Sequence, residues 1–191
     1  IGKNLIVSLN RNSDIEVLKF TKDNALTDLS ALIEKADFIF HLAGVNRPQN
    51  EIEFKEGNAD LTLEICDQIR RLKKDIPIVL SSSIQAERDN AYGSSKLLAE
   101  THLLNLHNET GNKVYIFRLP NVFGKWCKPN YNSVVATFCH NIANDLPIQI
   151  NDESAELNLV HIGAVITSFI EILSSQPTNK IHIDVEPVYK T

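Results

Sequence analysis

Residues 81–96 bring together three side-chain types that move protons to and from oxygen: the serine run Ser81, Ser82 and Ser83, then Tyr92, then Lys96. The stretch "NAYGSSK" opens a segment with helical spacing. Tyr92 and Lys96, four apart, therefore share one helix face about a turn from each other. A free tyrosine has a pKa near 10, too high to exchange protons readily at neutral pH. A neighbouring ammonium favours the phenolate, so the spacing predicts a lowered pKa and a general acid/base suited to a sugar or alcohol oxygen. The spacing alone is weak: with four tyrosines in the chain, about 0.3 such pairs arise by chance. Two solvated residues on the first turn of a helix read the same way.

The elements that must hold this group alternate. "IGKNLIVSLN" places Ile1, Leu5, Ile6 and Leu9 on one helical face, with no strand before it. "DIEVLKF" (14–20) reads as a strand, and "TDLSALIEKA" (27–36) as a helix. "DFIFHLAG" (37–44) reads as a strand buried on both faces. A long helix is predicted over 50–74, with Ile52, Ala59, Leu63 and Ile69 inward. A strand follows over 76–83, a helix over 90–111 and a strand over 113–120. This order predicts an α/β domain with a mostly parallel sheet, whose ligands sit beyond the carboxyl ends of the strands. Beyond residue 120 the pattern loosens: a polar loop "KWCKPNYNS", a helix over 134–145, a strand in "LPIQIND" and a helix over 161–175.

Composition limits the function classes. The chain has 191 residues, 43% hydrophobic and 23% charged, with a net charge of −5. That suits one globular domain and offers no basic footprint for nucleic acid or anionic membrane. No apolar run reaches the length of a membrane span. Three cysteines without metal-ligand spacing predict reduced thiols in a cytoplasmic protein and no metal site. There is no methionine, even at position 1, so the sequence reads as part of a longer chain.

Five segments resemble the extended short-chain dehydrogenase/reductases, the family of NAD(P)-dependent nucleotide-sugar epimerases, dehydratases and reductases. "IGKNL" resembles the tail of the glycine-rich turn, with only its last glycine, Gly2, present. "HLAG" resembles the strand end beside adenine and ribose, "SSS" with "YGSSK" the catalytic group, and "RLPNVFG" the nicotinamide cradle. "PIQINDESAELNLVHIGAV" resembles the substrate side. A closer similarity, in "HLAGVNRP", "LSSSIQA", "DNAYGSSK" and "NVFGKWCKPNYNSVVATFC", is to the reductase domains of bifunctional capsular-polysaccharide enzymes. The short link from Ser83 to Tyr92 is typical of that branch.

The resemblance implies a Rossmann-like, doubly wound parallel sheet lacking its first strand and most of the glycine-rich turn. Residues 1–120 would form the dinucleotide-binding core and 121–191 the substrate-side elements of one domain. It implies an NADPH-dependent reductase of a UDP-N-acetyl-4-keto-6-deoxy-hexosamine, for capsular or surface polysaccharide precursors. The wider protein would carry a C-terminal cupin and could form a homodimer.

In this scheme Tyr92 protonates the forming alkoxide, Lys96 holds the ribose hydroxyls, and Ser83 hydrogen-bonds the carbonyl. The cofactor would meet Gly2, Lys19, Leu42, Ala43, Gly44, Tyr92, Lys96, Pro120 and the backbone of Val122. The substrate would meet Ser83 and Asn121. Lys19, just past what the resemblance makes the second strand, favours NADPH over NADH because a cation accommodates the 2′-phosphate. Asn58 falls where the family places an active-site asparagine, and equally where an asparagine would cap or bend its helix. The serines read alternatively as strand-end caps, residues 120–122 as an ordinary turn, and His161 as a helix-start residue. If the molecule itself lacks the first two glycines of the phosphate turn and the strand before them, dinucleotide affinity would be poor and one sheet position unfilled. Ile84 and Gln85 stand where dehydratases carry an acidic pair, which disfavours dehydration. An epimerase, or an inactive dinucleotide-binding fragment, remains the alternative.

Overall fold

The computed structural model describes residues 1–150, 152–175, 180–186 and 188–190. Its centre is a parallel sheet in the order β1-β2-β3, formed by Ile39–His41, Ile78–Ser83 and Val114–Leu119. Every residue of β2 is buried, as a central strand covered on both faces must be. Residue 181–183 backbone adds a short parallel bridge outside β3, with Ile116 N–H donating to the Ile181 carbonyl and Ile183 N–H to the Ile116 carbonyl.

The sheet's two faces carry two cores. Val79, Tyr115, Phe117 and Leu119 point to one side, where α1 (Gly2–Leu9) and α7 (Ile162–Ser174) bury Leu5, Leu9, Val165 and Phe169. Ile78, Leu80 and Val114 point to the other, against α2 (Thr27–Lys35), α4 (Leu61–Leu72) and α5 (Ala91–Thr110). Helices on both faces of a parallel sheet make the doubly wound arrangement that the resemblance implies. Each fully buried Leu, Ile or Phe contributes roughly 1.5–3 kcal/mol of transfer free energy. These two layers therefore hold the strand ends in place.

A second, mixed sheet follows: β4 (Asn121–Phe123) pairs in parallel with β5 (Asn158–His161), which pairs antiparallel with β6 (Val188–Lys190). Helix α6 (Val134–Ala143) lies between β4 and β5 in sequence and buries no residue.

Three expectations fail. Residues 14–20 form no strand. A strand needs a ladder partner for its N–H and C=O groups, and among the described residues none stands beside this segment, although Ile15, Val17 and Phe20 still pack on the two cores. "LPIQIND" forms no strand over its described residues. Leu146, Ile148 and Ile150 alternate like strand residues, yet all three are exposed, so no buried face selects a register; residue 151 lies outside the described residues. Finally, the 50–74 helix is not uniform: α3 (Ile52–Phe54) passes into a π-helical stretch, Lys55–Asp60, before α4. The widened turns rotate what precedes them, leaving Ile52 62% exposed while Ala59 and Ile69 stay buried.

Candidate active site

The group forms at the carboxyl end of β2. Ser83 ends the strand, and its Oγ accepts from the Gln85 N–H at 3.2 Å, opening a 3-10 turn over Ile84–Glu87. Ser83 is thus both a strand-end cap and a member of the group. The chain turns at once into α5, whose N-cap Asn90 accepts from Gly93 N–H at 2.8 Å. Such caps stabilise a helix by about 1 kcal/mol. Gly93 allows the tight junction: a Cβ there would fall 2.2 Å from the Gln85 carbonyl oxygen and 2.6 Å from that of Arg88. This close approach is what makes the short Ser83–Tyr92 link possible.

Tyr92 stands half-buried on the first turn of α5, its ring edge-on to Phe54 at 5.6 Å. Lys96, one turn on, is 4% exposed and donates to the Ser81 carbonyl at 3.2 Å. Burial drives its pKa down to about 8, with Glu100 acting in the other direction. The expected lowering of the Tyr92 pKa is corrected here. Burial pushes the phenol above its usual value, and nearby Ser83 only partly offsets this. The reason is geometric: the Lys96 ammonium turns to the Ser81 carbonyl and stays 6.0 Å from the Tyr92 ring centroid. A raised pKa keeps Tyr92 protonated, the state a proton donor requires.

Asn58, 1% exposed, sits in the π-helical stretch. Its carboxamide accepts from Val45 N–H (2.9 Å) and donates to the Val45 carbonyl (3.1 Å) and to Ser95 Oγ (2.9 Å). Ser95 Oγ donates in turn to the Tyr92 carbonyl at 2.7 Å. Behind it, Thr62 Oγ1 donates to the Asn58 carbonyl at 2.6 Å and meets His41 Nε2 at 2.8 Å. Since the threonine proton is committed to Asn58, His41 must donate from Nε2, which makes it the neutral Nε2–H tautomer. Burial, with Lys96 adding to it, holds its pKa at about 3. Asn58 therefore joins the post-β1 loop to the start of α5, in a π-helical turn of the kind that often marks functional sites.

Gly44 completes this corner. A Cβ there would lie 2.8 Å from Asn58 Oδ1 and 2.9 Å from Lys96 Nζ. Leu42 is half-buried and Ala43 exposed, and Leu42 Cδ1 lies 4.0 Å from where a Cβ on Gly2 would stand. Ser83, Tyr92, Lys96 and Gly44 thus converge, with Gly2 and Leu42 adjacent to each other.

The remaining candidates are more dispersed. Pro120 and Val122 are half-buried at the β3–β4 junction, and exposed Asn121 donates to the Asn158 carbonyl at 3.4 Å. Lys19 is exposed and makes no hydrogen bond or ion pair among the described residues. In the polar loop, Lys125 lies 4.6 Å over the Trp126 ring, and Arg47 lies 5.1 Å over Tyr131 while bonding Asn132 Oδ1 at 2.8 Å. Arg47, Asn130, Tyr131, Ser133, Thr137 and Phe138 border a cleft of about 400 Å³. His161 caps α7, accepting from Gly163 N–H at 3.1 Å.

Sequence reasoning passed over Phe54, Gly93, His41 and Glu100. Only Glu100 had a legible signal, its i+4 spacing from Lys96.

The corner has features that fit a dinucleotide. Lys96 is a buried ammonium whose protein acceptor among the described residues is the Ser81 carbonyl, which leaves donor capacity for ribose hydroxyls. A Cβ at Gly44 would press on that ammonium. The α1 N-terminus, with no side-chain cap, offers free N–H groups to a pyrophosphate. Among the described residues no helix is long and apolar enough to cross a membrane, and no cluster of three His, Cys, Asp or Glu could hold a metal ion.

Comparison with known proteins agrees with this reading of the fold. A UDP-2-acetamido-2,6-beta-L-arabino-hexul-4-ose reductase of Pseudomonas aeruginosa is 52% identical over 190 residues, covering 100% of this chain and 51% of the relative. The chain thus spans about half the length of the curated relative it matches. The crystal structure of the capsular polysaccharide assembling protein CapF from Staphylococcus aureus superposes with a TM-score of 0.86 at 44% identity, over 99% of this chain and 52% of that one. A UDP-glucuronic acid 4-epimerase from Bacillus cereus in complex with NAD shares the fold, with a TM-score of 0.76 at 19% identity over 97% of this chain and 65% of that one. The model of the NAD dependent epimerase/dehydratase family matches residues 1–183. With the serine, tyrosine and lysine gathered at the end of the central strand of a doubly wound sheet, this chain belongs to the NAD dependent epimerase/dehydratase family.

Proposed function

We propose that this chain is the reductase part of a larger enzyme, and that it reduces the 4-keto group of a UDP-N-acetyl-6-deoxy-hexosamine with NADPH in the cytoplasm. The observation that carries the reading is the convergence of Ser83, Tyr92 and Lys96, with Ile84 and Gln85 beside them where a dehydratase carries acidic residues. The relation to the Pseudomonas reductase supports it independently.

The bound nicotinamide would supply a hydride to C4 of the sugar. Tyr92, kept protonated by its surroundings, donates its phenolic proton to O4 as charge develops there. Ser83 hydrogen-bonds the same oxygen, stabilising charge that is larger in the transition state than in the ketone. Lys96 holds the ribose hydroxyls. Asn58 and Phe54 orient Tyr92 from its backbone and ring faces.

We assign residues 1–120 to the dinucleotide, with Gly2, Leu42, Ala43 and Gly44 along it and Pro120 and Val122 at its nicotinamide end. Residues 121–191 hold the substrate: Asn121 meets the sugar nucleotide, and the cleft between Arg47 and α6 seats the UDP. Exposed Lys19 reads the 2′-phosphate. The wider protein carries a cupin domain and works as a homodimer.

The test follows NADPH absorbance with the full-length protein and a UDP-N-acetyl-4-keto-6-deoxy sugar. One NADPH oxidised per sugar reduced is the expected result. A new sugar isomer without NADPH loss would replace the reductase reading with an epimerase. In Lys19→Asp, the preference for NADPH over NADH should fall at least tenfold; an unchanged ratio removes Lys19 from the cofactor site.

A further inference from the structure

Glu100 is 1% exposed, one helical turn beyond Lys96 on α5. Its carboxylate accepts from Arg118 Nε at 3.0 and 3.1 Å and from Nη2 at 2.7 Å, and Ser82 Oγ donates to it as well. Arg118 Nη1 continues to Glu87 at 2.6 Å. Ser82 and Arg118 are directly paired across β2 and β3, so one buried carboxylate ties α5 to both strands at a single level.

That level matters because of its neighbours. Ser81, just before Ser82, provides the carbonyl that receives the Lys96 ammonium. Ser83, just after it, belongs to the group at Tyr92. A buried ion pair is weak evidence for stability, since apolar replacements often serve as well. A buried negative charge one turn from a buried ammonium has an electrostatic consequence that no apolar pair reproduces.

We propose that Glu100 is a positioning residue for this site: it clamps Ser82 between Ser81 and Ser83 and supplies the negative charge that keeps Lys96 an ammonium. The inference rests on the reading that Lys96 serves Tyr92 in the reduction proposed above. Burial lowers the Lys96 pKa to about 8 and Glu100 opposes that fall. The other titratable groups around Lys96 are few. Tyr92 precedes it by one turn on α5. His41, at the end of β1, is neutral at any pH well above 3. Arg118, on β3, is taken up by Glu100 and Glu87. Glu100 is therefore the anionic member of the set.

The test reads Lys96 directly, in the full-length protein with isotope-labelled lysine. The Lys96 side-chain resonance is identified by its loss in Lys96→Arg, and its titration is followed by NMR. In Glu100→Gln the midpoint should fall by at least about one pH unit, and the alkaline limb of kcat/KM should fall with it. Glu100→Asp, which keeps the charge, should return the midpoint most of the way. If the unpaired Arg118 unfolds Glu100→Gln, the double variant Glu100→Gln/Arg118→Met avoids a stranded cation, and its midpoint should fall in the same direction by a smaller amount because the Arg118 charge is lost as well. An unmoved midpoint in a folded charge-removed variant overturns the assignment. A moved midpoint in a protein whose wild type reduces no keto sugar supports the electrostatic role of Glu100 while removing the reductase reading.

Discussion

Helices α5 and α6 begin alike and end differently. Each opens on a side-chain cap, Asn90 for α5 and Ser133 for α6. Helix α5 then buries Lys96, Ala99, Glu100, Leu103 and Leu106 against the sheet and α4, whereas α6 buries none of its residues and leaves Ile142 63% exposed. The difference is one of neighbours. Two apolar layers and a buried polar network fix α5, so the groups it carries are held to a narrow geometry. Helix α6 and the loop before it meet the body through hydrogen bonds such as Arg47 to Asn132. The candidate catalytic group is thus carried by a helix packed into the core, and the candidate substrate side by one that buries none of its residues.

Substitutions in the two regions should separate them, and the largest effect belongs to the phenol of Tyr92. Tyr92→Phe keeps the ring against Phe54 and removes only the hydroxyl, so kcat for keto-sugar reduction should fall about 10²- to 10⁴-fold with the melting temperature little changed. A smaller loss would mean that another group donates the proton.

Next come the packing substitutions. Leu103→Ala in α5 should cost about 2–5 kcal/mol in denaturant unfolding. Ile142→Ala in α6 should stay within about 0.5 kcal/mol. Comparable costs would show that α6 is covered in the full-length protein.

Gly44→Ala tests precision without burial. Gly44 is exposed, yet the added methyl would press on Asn58 and Lys96. The expected outcome is a loss of about tenfold or more in kcat/KM with stability altered by less than about 1 kcal/mol. Unchanged kinetics would mean that Lys96 tolerates displacement.

The smallest effect at neutral pH is one that develops only as a slope in acid. Unfolded His41 takes a proton as pH falls through 6.5, while the folded form resists until about 3. Between those values the unfolded state binds more protons, so stability is full above pH 6.5 and declines towards pH 3, by up to about 1.4 kcal/mol per pH unit. His41→Asn should flatten that part of a urea-unfolding pH series. An equal slope in both proteins would place the acid sensitivity elsewhere.

Much of the fold was legible because period and burial agree. Residues 76–83 read as a strand, and β2 lies inside the sheet; α5 reads from its helical pattern and is capped where "DNA" meets "YGSSK". The same logic failed for residues 14–20 and 146–150, which carry strand-like patterns without a ladder partner. It also failed at Ile52, because a π-helical stretch leaves no trace in hydrophobic spacing.

Local sequence made Tyr92 and Lys96 candidates, since a tyrosine and a lysine four apart on a helix must share a face, and the resemblance across five segments set the pair apart from a chance one. What surrounds them depended on the tertiary structure. The ammonium of Lys96 turns to Ser81, burial raises rather than lowers the phenol of Tyr92, and Glu100 reaches across to Ser82 and Arg118. Spacing along a chain sets which groups can meet on one element. Desolvation and charge come from groups distant in sequence, and only packing brings those together.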